Sequence, residues 1–120
     1  LQPPYFNMQA DDAANYGAIG SVIGHEISHG FDDRGRQYDG DGNLRDWWSP
    51  EDNEKFKSKA SGLVKQYSSF EALPGLNVNG ELTLGENIGD LSGAAVAYGA
   101  YIHSLNGAAR SRSPGPVPHP

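Results

Sequence analysis

Apolar residues recur at the spacing of an α-helix in three stretches of the chain. The first predicted helix covers residues 15–29, and Gly30 is a suitable stop for it. The second covers residues 50–68, because Ser49 followed by proline is a typical helix start and apolar residues then recur every three or four positions. The third covers residues 84–105. The pattern therefore predicts a mainly α chain.

Glycine, proline, asparagine and aspartate dominate the segments between these helices and predict turns. Residues 39–43 have the alternating acids of a calcium loop, but that pattern requires glycine at position 44 and glutamate at position 50, where the chain has leucine and proline. We therefore expect a turn between two short extended pieces, residues 36–38 and 44–46. Residues 73–80 are predicted to be a linker that contains turns.

The first predicted helix has three chemically different faces. One is apolar, a second carries His25, Glu26 and His29, and the third consists of small residues, namely Gly17, Gly20, Ser21, Gly24 and Ser28. Each glycine costs a helix about 0.8–1 kcal/mol relative to alanine, so several in one helix indicate that another backbone packs close to it. We expect this helix to be buried against small residues of the third helix, which are Gly89, Gly93, Ala94 and Ala97.

The histidine-bearing face of the first helix has the HExxH arrangement of zinc peptidases. His25 and His29 are four residues apart, which leaves them about 40° apart on one helical face, one turn above the other. Two neutral imidazoles placed this way can bind one Zn²⁺ at about 2.0–2.1 Å each. Glu26 lies on the same side and is placed to act as a general base on water at the metal. The alternative is a helix with two solvated or hydrogen-bonded histidines. The expected burial of the helix argues against it, because buried histidines need partners.

A catalytic zinc site usually has three protein ligands and one water, so a third ligand is needed. Glu86 and Asp90 are four residues apart near the start of the third helix and share a face. Glu86 can bind the metal while Asp90 accepts the free ring N–H of a ligand histidine. Alternatively, Thr83 followed by Glu86 fits a capping box, in which the glutamate bonds back to the start of its own helix. Spacing alone supports both interpretations equally.

Several motifs together resemble one family of zinc peptidases. They are HEISHGFDD from His25, WWS from Trp47, GENIGD from Gly85, LQPPYF from Leu1 and NYGAIGSVIGHE from Asn15. In this combination the chain resembles the neprilysin and endothelin-converting-enzyme family, and its lack of cysteine resembles the bacterial branch. The resemblance implies a thermolysin-like zincin (gluzincin) catalytic subdomain of about three helices with short extended and turn segments. It covers residues 1–106, the catalytic-centre fragment, and residues 107–120 are expected to be a flexible tail outside the family.

The resemblance also implies a role for individual side chains. His25, His29 and Glu86 match the family's zinc ligands, so the implied cofactor is Zn²⁺. Glu26 and Asp90 match its catalytic residues, Glu26 as the base and Asp90 as the carboxylate behind a ligand histidine. Tyr5 and Val22 match residues that line the hydrophobic pocket for the side chain after the scissile bond. The implied function is a zinc-dependent metalloendopeptidase that cleaves on the N-terminal side of hydrophobic residues through a zinc-activated water.

Three features of the family have no counterpart in the chain. They are an Asn-Ala-x-Tyr edge strand before the LQPP segment, a histidine and an arginine after the GENIGD helix, and a helical second domain. Losing one oxyanion-stabilising donor typically costs about 10²–10³ in rate. An alternative is therefore a catalytically weak or silent zinc-binding fragment with a structural metal, and a further one is a metal-free helical interaction module.

The resemblance implies a peptide or protein substrate as the partner, and composition argues against two other classes of partner. The net charge is −6 and the basic residues form no stripe, so nucleic acid is not expected. No apolar run approaches the roughly 20 residues that span a bilayer, so we expect no membrane segment in this chain. We expect no signal peptide within this chain, and the family resemblance suggests an extracytoplasmic or secreted bacterial location. Apolar surface left open by the missing family segments predicts self-association.

Overall fold

The structure is a computed structural model that describes residues 1–108, with side chains described for residues 1–105. Within that part the chain is mainly helical, which confirms the predicted fold class. The α-helices are α1 (Asp12–Asn15), α2 (Ser21–Ser28), α3 (Pro50–Ser68) and α4 (Leu84–Ala108). The strands β1 (Glu71–Leu73) and β2 (Leu76–Asn77) form one antiparallel hairpin. Short 3₁₀ turns at His29–Phe31 and Gly35–Gln37 follow α2.

The first predicted helix begins earlier than expected. A π-helical turn, Tyr16–Gly20, joins α1 to α2, and the backbone stays helical through both junctions. The predicted start at residue 15 is therefore wrong by three residues, because Ala13 and Ala14 favour the helical conformation strongly enough to extend it. The helix ends near the predicted stop, where the 3₁₀ turn leads to an extended backbone at Asp32.

Helices α2 and α4 cross with their backbones in direct contact. A Cβ atom built on Gly24 would lie 2.9 Å from the Cα of Gly93, and one built on Gly93 would lie 2.5 Å from the carbonyl oxygen of Ser21. Ala97 is buried one turn further along α4, facing Gly20. The predicted contact between the two small-residue faces is confirmed, except that Gly17 and Ala94 are exposed and lie outside it.

The expectation that the first helix is buried is wrong. Ile23 and Ile27, on its apolar face, are 54% and 64% exposed, and the buried apolar side chains among the described residues are Leu84 and Ala97. The prediction from the glycines that another helix packs close to this one is confirmed. That approach covers part of the small-residue face, and the apolar face stays exposed at Ile23 and Ile27 in the described part of the chain.

Helix α3 has the predicted bounds, and its start is capped by a side chain. The Ser49 hydroxyl accepts the backbone N–H of Asp52 at 3.1 Å and donates to the Asp52 carboxylate at 2.7 Å. One face of the helix is half-buried and holds Phe56, Ala60, Leu63 and Tyr67. The predicted amphipathic pattern is therefore confirmed.

Replacing Ser49 with alanine is expected to lower the free energy of unfolding by about 1 kcal/mol, because the N–H of Asp52 loses its acceptor. Ser58→Ala, at an exposed position in the interior of the same helix, is the matched control and should change stability by less than about 0.5 kcal/mol. Urea denaturation followed by circular dichroism measures both. Equal midpoints for the two variants would contradict the capping role.

The loop between α2 and α3 is attached to α3 through aromatic contacts. The rings of Trp48 and Phe56 meet edge to face with centroids 5.7 Å apart, and the Arg36 guanidinium lies over Phe56 at 4.7 Å. The predicted turn is confirmed by a β-bridge between Tyr38 and Leu44. The extended piece predicted at residues 36–38 is wrong at its first two residues, because the 3₁₀ turn Gly35–Gln37 includes them and the backbone becomes extended only at Tyr38. In that turn the Asp39 carboxylate accepts backbone N–H groups, so it stabilises the loop.

Two predictions about the remaining segments need separate comment. The linker predicted at residues 73–80 begins inside the β1–β2 hairpin, whose turn contains Gly75 with a φ of 75°. The flexible tail predicted at residues 107–120 lies outside the described residues apart from the last turn of α4, which reaches Ala108. Over the described ranges, no helix is both long and apolar enough to cross a bilayer.

Candidate metal centre

Three side chains from two helices converge in a geometry suited to one metal ion. His25 lies in α2, His29 begins the 3₁₀ turn after it, and Glu86 lies in the first turn of α4. The His25 Nε2 atom is 3.3 Å from Glu86 Oε2, and His29 Nε2 is 3.8 Å from Glu86 Oε1. Ligands held tetrahedrally at about 2.0–2.1 Å from zinc stand about 3.3 Å apart. One donor atom from each of the three residues lies within 4.8 Å of the others.

A carboxylate fixes the orientation of each histidine ring. Asp90 Oδ1 lies 2.9 Å from His25 Nδ1, and Asp32 Oδ2 lies 2.9 Å from His29 Nδ1. Because an ionised carboxylate can only accept hydrogen bonds, each Nδ1 carries the proton. Both Nε2 atoms are then left with a free lone pair, which is the tautomer that a metal requires.

Asp32, the partner of His29, was missed by the sequence analysis. It is 6% exposed, and its second oxygen, Oδ1, accepts the backbone N–H groups of Arg34 at 2.9 Å and Gly35 at 2.7 Å. The sequence signal was an acid three residues after His29. It was overlooked because Asp32 lies beyond the end of the helix, where helical spacing no longer applies.

The hydrogen bonds around Asp32 perturb both partners. Burial alone would raise the pKa of Asp32, but the N–H of Gly35, the His29 ring and the N–H of Arg34 outweigh it and lower that pKa. The hydrogen bond to Asp32 raises the pKa of His29 against the opposing effect of burial, and the charge of Glu86 adds to the increase. The lowered pKa keeps Asp32 ionised, so that it accepts the Nδ1–H of His29, and the raised pKa of His29 favours the imidazolium, whose Nε2 proton a metal must displace.

Glycines in α4 make room for these side chains. A Cβ atom at Gly89 would lie 2.9 Å from the Nδ1 atom of His25, and one at Gly85 would lie 3.1 Å from Oδ2 of Asp32. Both positions are one helical turn apart on the face of α4 that meets α2. The same stripe of glycines that lets the two helices touch therefore makes room for the His25 imidazole and for Asp32, the carboxylate behind His29.

Glu86 does not form the capping box that its spacing allowed. The Thr83 hydroxyl accepts the side-chain N–H of Asn87 at 2.9 Å, and the Thr83 backbone N–H donates to Asn79 at 3.1 Å. In the described part of the chain, the Glu86 carboxylate instead faces the two histidines. Of the two interpretations left open by the sequence, this geometry agrees with the ligand.

Three other side chains have predicted roles, and the structure places Val22 and Glu26 beside this centre and Tyr5 outside its cleft. Val22 and Glu26 line one cleft together with Ser21, His25 and Asp90, and the side of Glu26 is open to solvent. Tyr5 is 57% exposed, and its carbonyl oxygen accepts the backbone N–H of Ile19 at 3.0 Å. Tyr5 is therefore attached to the helix that carries the histidines, but it does not line the cleft formed by the described residues.

Comparison with known proteins decides the family. The model of Peptidase family M13 matches residues 1–115 of the chain. The chain belongs to peptidase family M13. The M13 match covers both helices of the candidate centre and extends past residue 106, where the motif resemblance ends.

Individual M13 relatives support the assignment. The chain is 52% identical to Neprilysin-2 of Drosophila melanogaster over 102 residues and 50% identical to human neprilysin over 103 residues. Each match covers 84% of the chain, which spans 13% and 14% of those relatives. The crystal structure of the zinc metalloprotease Zmp1 of Mycobacterium tuberculosis with an inhibitor superimposes with a TM-score of 0.84 at 52% identity, over 97% of the chain and 18% of that protein. PepO of Lactobacillus superimposes with a TM-score of 0.77 at 43% identity, over 82% of the chain and 15% of that protein.

The two carboxylates behind the histidines of this M13 chain are expected to control metal affinity. Asp32→Asn and Asp90→Asn should each weaken zinc binding by about 10–100-fold, because the amide no longer fixes the histidine tautomer. Competition with a chromophoric chelator measures the dissociation constants. Asp46→Asn, an exposed acid in the loop before α3, is the control and should bind zinc like the parent. Parental affinity in both test variants would contradict the role of the carboxylates.

Proposed function

We propose that this chain is the catalytic-centre segment of a zinc-dependent metalloendopeptidase. The single observation that carries the proposal is the convergence of His25, His29 and Glu86, with Glu26 beside them on the cleft. Two imidazole nitrogens and one carboxylate oxygen are a donor set that zinc accepts in peptidases, and the paired Nδ1 atoms leave Nε2 free to bind it. Membership of the M13 family supports the same conclusion.

The residues divide the chemistry between them. His25, His29 and Glu86 would hold a zinc ion, which would supply the Lewis acidity that polarises a scissile carbonyl and makes water acidic enough to lose a proton near neutral pH. Glu26 accepts that proton as the water attacks and delivers it to the leaving amine. Asp90 and Asp32 keep the two imidazoles in the tautomer and orientation that binding requires.

Peptides with a hydrophobic residue after the scissile bond are the proposed substrates. Val22 lies one turn before Glu26 on α2 and lines the same cleft, so an apolar side chain placed there would sit beside the general base. Tyr5 is proposed to reach this subsite from the N-terminal segment, on the strength of the family resemblance. The cleft is open along the Glu26 side, which suits an extended peptide.

A structural zinc without catalysis is the competing function, and the small core favours it. The described residues bury only Leu84 and Ala97 as apolar side chains, so a metal that joins α2 to α4 would contribute substantially to stability. Hydrolysis of a fluorogenic peptide, measured with and without a chelator, separates the two functions. The proposal expects turnover that is lost with the metal and restored by added zinc. Zinc binding without turnover would favour the structural role, and no zinc binding would overturn both.

A further inference from the structure

Asp33 has a buried oxygen that none of the interactions described so far explains. Its Oδ1 atom is shielded from solvent and has no hydrogen-bond partner among the described residues. The backbone around it is well held, since the Asp33 carbonyl accepts the side-chain N–H of Gln37 at 3.1 Å. An unsatisfied buried acceptor is costly and is retained in a structure when a nearby feature compensates it.

The feature that faces this oxygen is the start of α4. A Cβ atom built on Gly85 would lie 3.2 Å from Asp33 Oδ1, so the carboxylate rests against the second residue of the helix. The first turn of a helix has N–H groups without intrahelical acceptors and carries a partial positive charge. In the described ranges, the N–H groups of Gly85 and Glu86 have no backbone acceptor outside the helix.

The residue at the usual capping position does not serve these groups. The Thr83 hydroxyl donates to the carbonyl of Asn79 and accepts from the Asn87 side chain, so it is fully engaged elsewhere. Asp32 also approaches Gly85, but its two oxygens already accept from the His29 ring, Arg34 and Gly35. Among the described carboxylates that contact this turn, Asp33 is thus the one whose nearby oxygen accepts no hydrogen bond.

Glu86 is the residue whose position depends on that turn. Its side chain is 71% exposed, so little side-chain packing holds it in place. Its carboxylate stands 3.3 Å and 3.8 Å from the two histidine Nε2 atoms only because the backbone of the first turn lies where it does. Helix ends fray unless charge or capping stabilises them, and fraying here would move Glu86 away from the centre.

We propose that Asp33 is a positioning residue for the metal centre: its carboxylate, through the shielded Oδ1 atom, stabilises the uncapped first turn of α4 and thereby fixes Glu86 opposite the two histidines. The inference rests on the proposed function, because it assigns Glu86 as a ligand. It adds a third supporting carboxylate to the centre. Asp90 and Asp32 orient the two imidazoles, and Asp33 orients the helix that carries the remaining ligand.

Zinc affinity, measured by competition with a chromophoric chelator, tests the inference without relying on catalysis. Asp33→Ala should weaken zinc binding by about 5–30-fold, the effect expected for removing a charged group from a helix N-terminus. Asp33→Asn keeps the shape and loses the charge, so it should weaken binding by about 3–10-fold and provides the test if the alanine variant fails to fold. Asp41→Ala removes the same charge from an exposed turn and should match the parent within about twofold.

A double-mutant cycle distinguishes positioning from a general loss of stability. In a Glu86→Ala background the Asp33 substitution should change zinc affinity by less than about twofold, because the group it positions is gone. An unchanged 5–30-fold effect in that background, or parental affinity of the single variants, would overturn the inference. If the parental chain itself binds no zinc, the proposed function fails instead, so the two failures are told apart.

Discussion

Replacing Glu26 with glutamine is expected to reduce peptide hydrolysis by about 10²–10⁴-fold while zinc remains bound. Glutamine has nearly the same shape, but its amide cannot accept the proton that the attacking water must lose. Glu26 is not among the three residues whose donor atoms converge, so the metal ligands stay intact. The loss should appear in kcat more than in KM, because the missing interaction belongs to the transition state.

The control for this experiment is Glu81→Gln, an exposed glutamate in the turn before α4. It removes the same charge and should leave both hydrolysis and zinc content unchanged. Zinc content is measured by atomic spectroscopy after dialysis, and hydrolysis with a fluorogenic peptide. Parental turnover by Glu26→Gln would exclude this side chain as the base, whereas loss of zinc from that variant would show that it acts on the metal instead.

Adding a single methyl group at Gly93 is expected to damage both the fold and the metal centre. The Cβ atom of Gly93→Ala would lie 2.5 Å from the Ser21 carbonyl oxygen and 2.6 Å from the His25 nitrogen. Both contacts are with backbone, which cannot rotate away, so α4 must move away from α2. Overpacking of this kind costs about 1–3 kcal/mol, and we expect a value at the upper end or beyond it. Because His25 and Glu86 belong to the two helices that separate, zinc affinity should fall as well.

Gly99→Ala is the matched control in the same helix. Nothing lies within 4 Å of the Cβ atom that this substitution adds, and the position is exposed. Alanine should therefore stabilise α4 by about 0.5–1 kcal/mol. Thermal unfolding in the presence of a chelator measures the effect of each substitution on the fold, and zinc titration measures the effect on the centre. Equal stability of the Gly93 and Gly99 variants would contradict the close crossing of α2 and α4.

Local sequence chemistry predicted the parts of the fold that depend on neighbouring residues. The bounds of α3 follow from the Ser49 cap and the apolar repeat, both of which operate within a single helix. The contact between α2 and α4 was also predictable from the sequence, because glycines such as Gly24 and Gly93 inside helices indicate that another backbone lies close. Spacing brought His25 and His29 onto one face, and Glu86 with Asp90 onto another, before their relative placement was known.

Features that depend on the path of the chain were not predicted. Asp32 reaches His29 because the backbone becomes extended just after the 3₁₀ turn, and no periodic pattern encodes that change. Spacing alone left the capping box at Thr83 open, because other residues engage its hydroxyl in the fold. That hydroxyl donates to the carbonyl of Asn79 and accepts the side-chain N–H of Asn87. The exposure of Ile27 was mispredicted, since glycine content reports the closeness of a neighbour and not how much it covers.

Zinc K-edge X-ray absorption of the protein loaded with one zinc per chain tests the central claim most directly. The account predicts four nitrogen or oxygen neighbours at about 2.0–2.1 Å, with outer-shell scattering from two imidazoles and no sulfur. The Glu86→Ala variant should lose affinity and show a changed first shell, while both imidazoles remain. Zinc bound with fewer than two imidazoles in the parent, or a parental spectrum from Glu86→Ala, would contradict a centre built by these two helices.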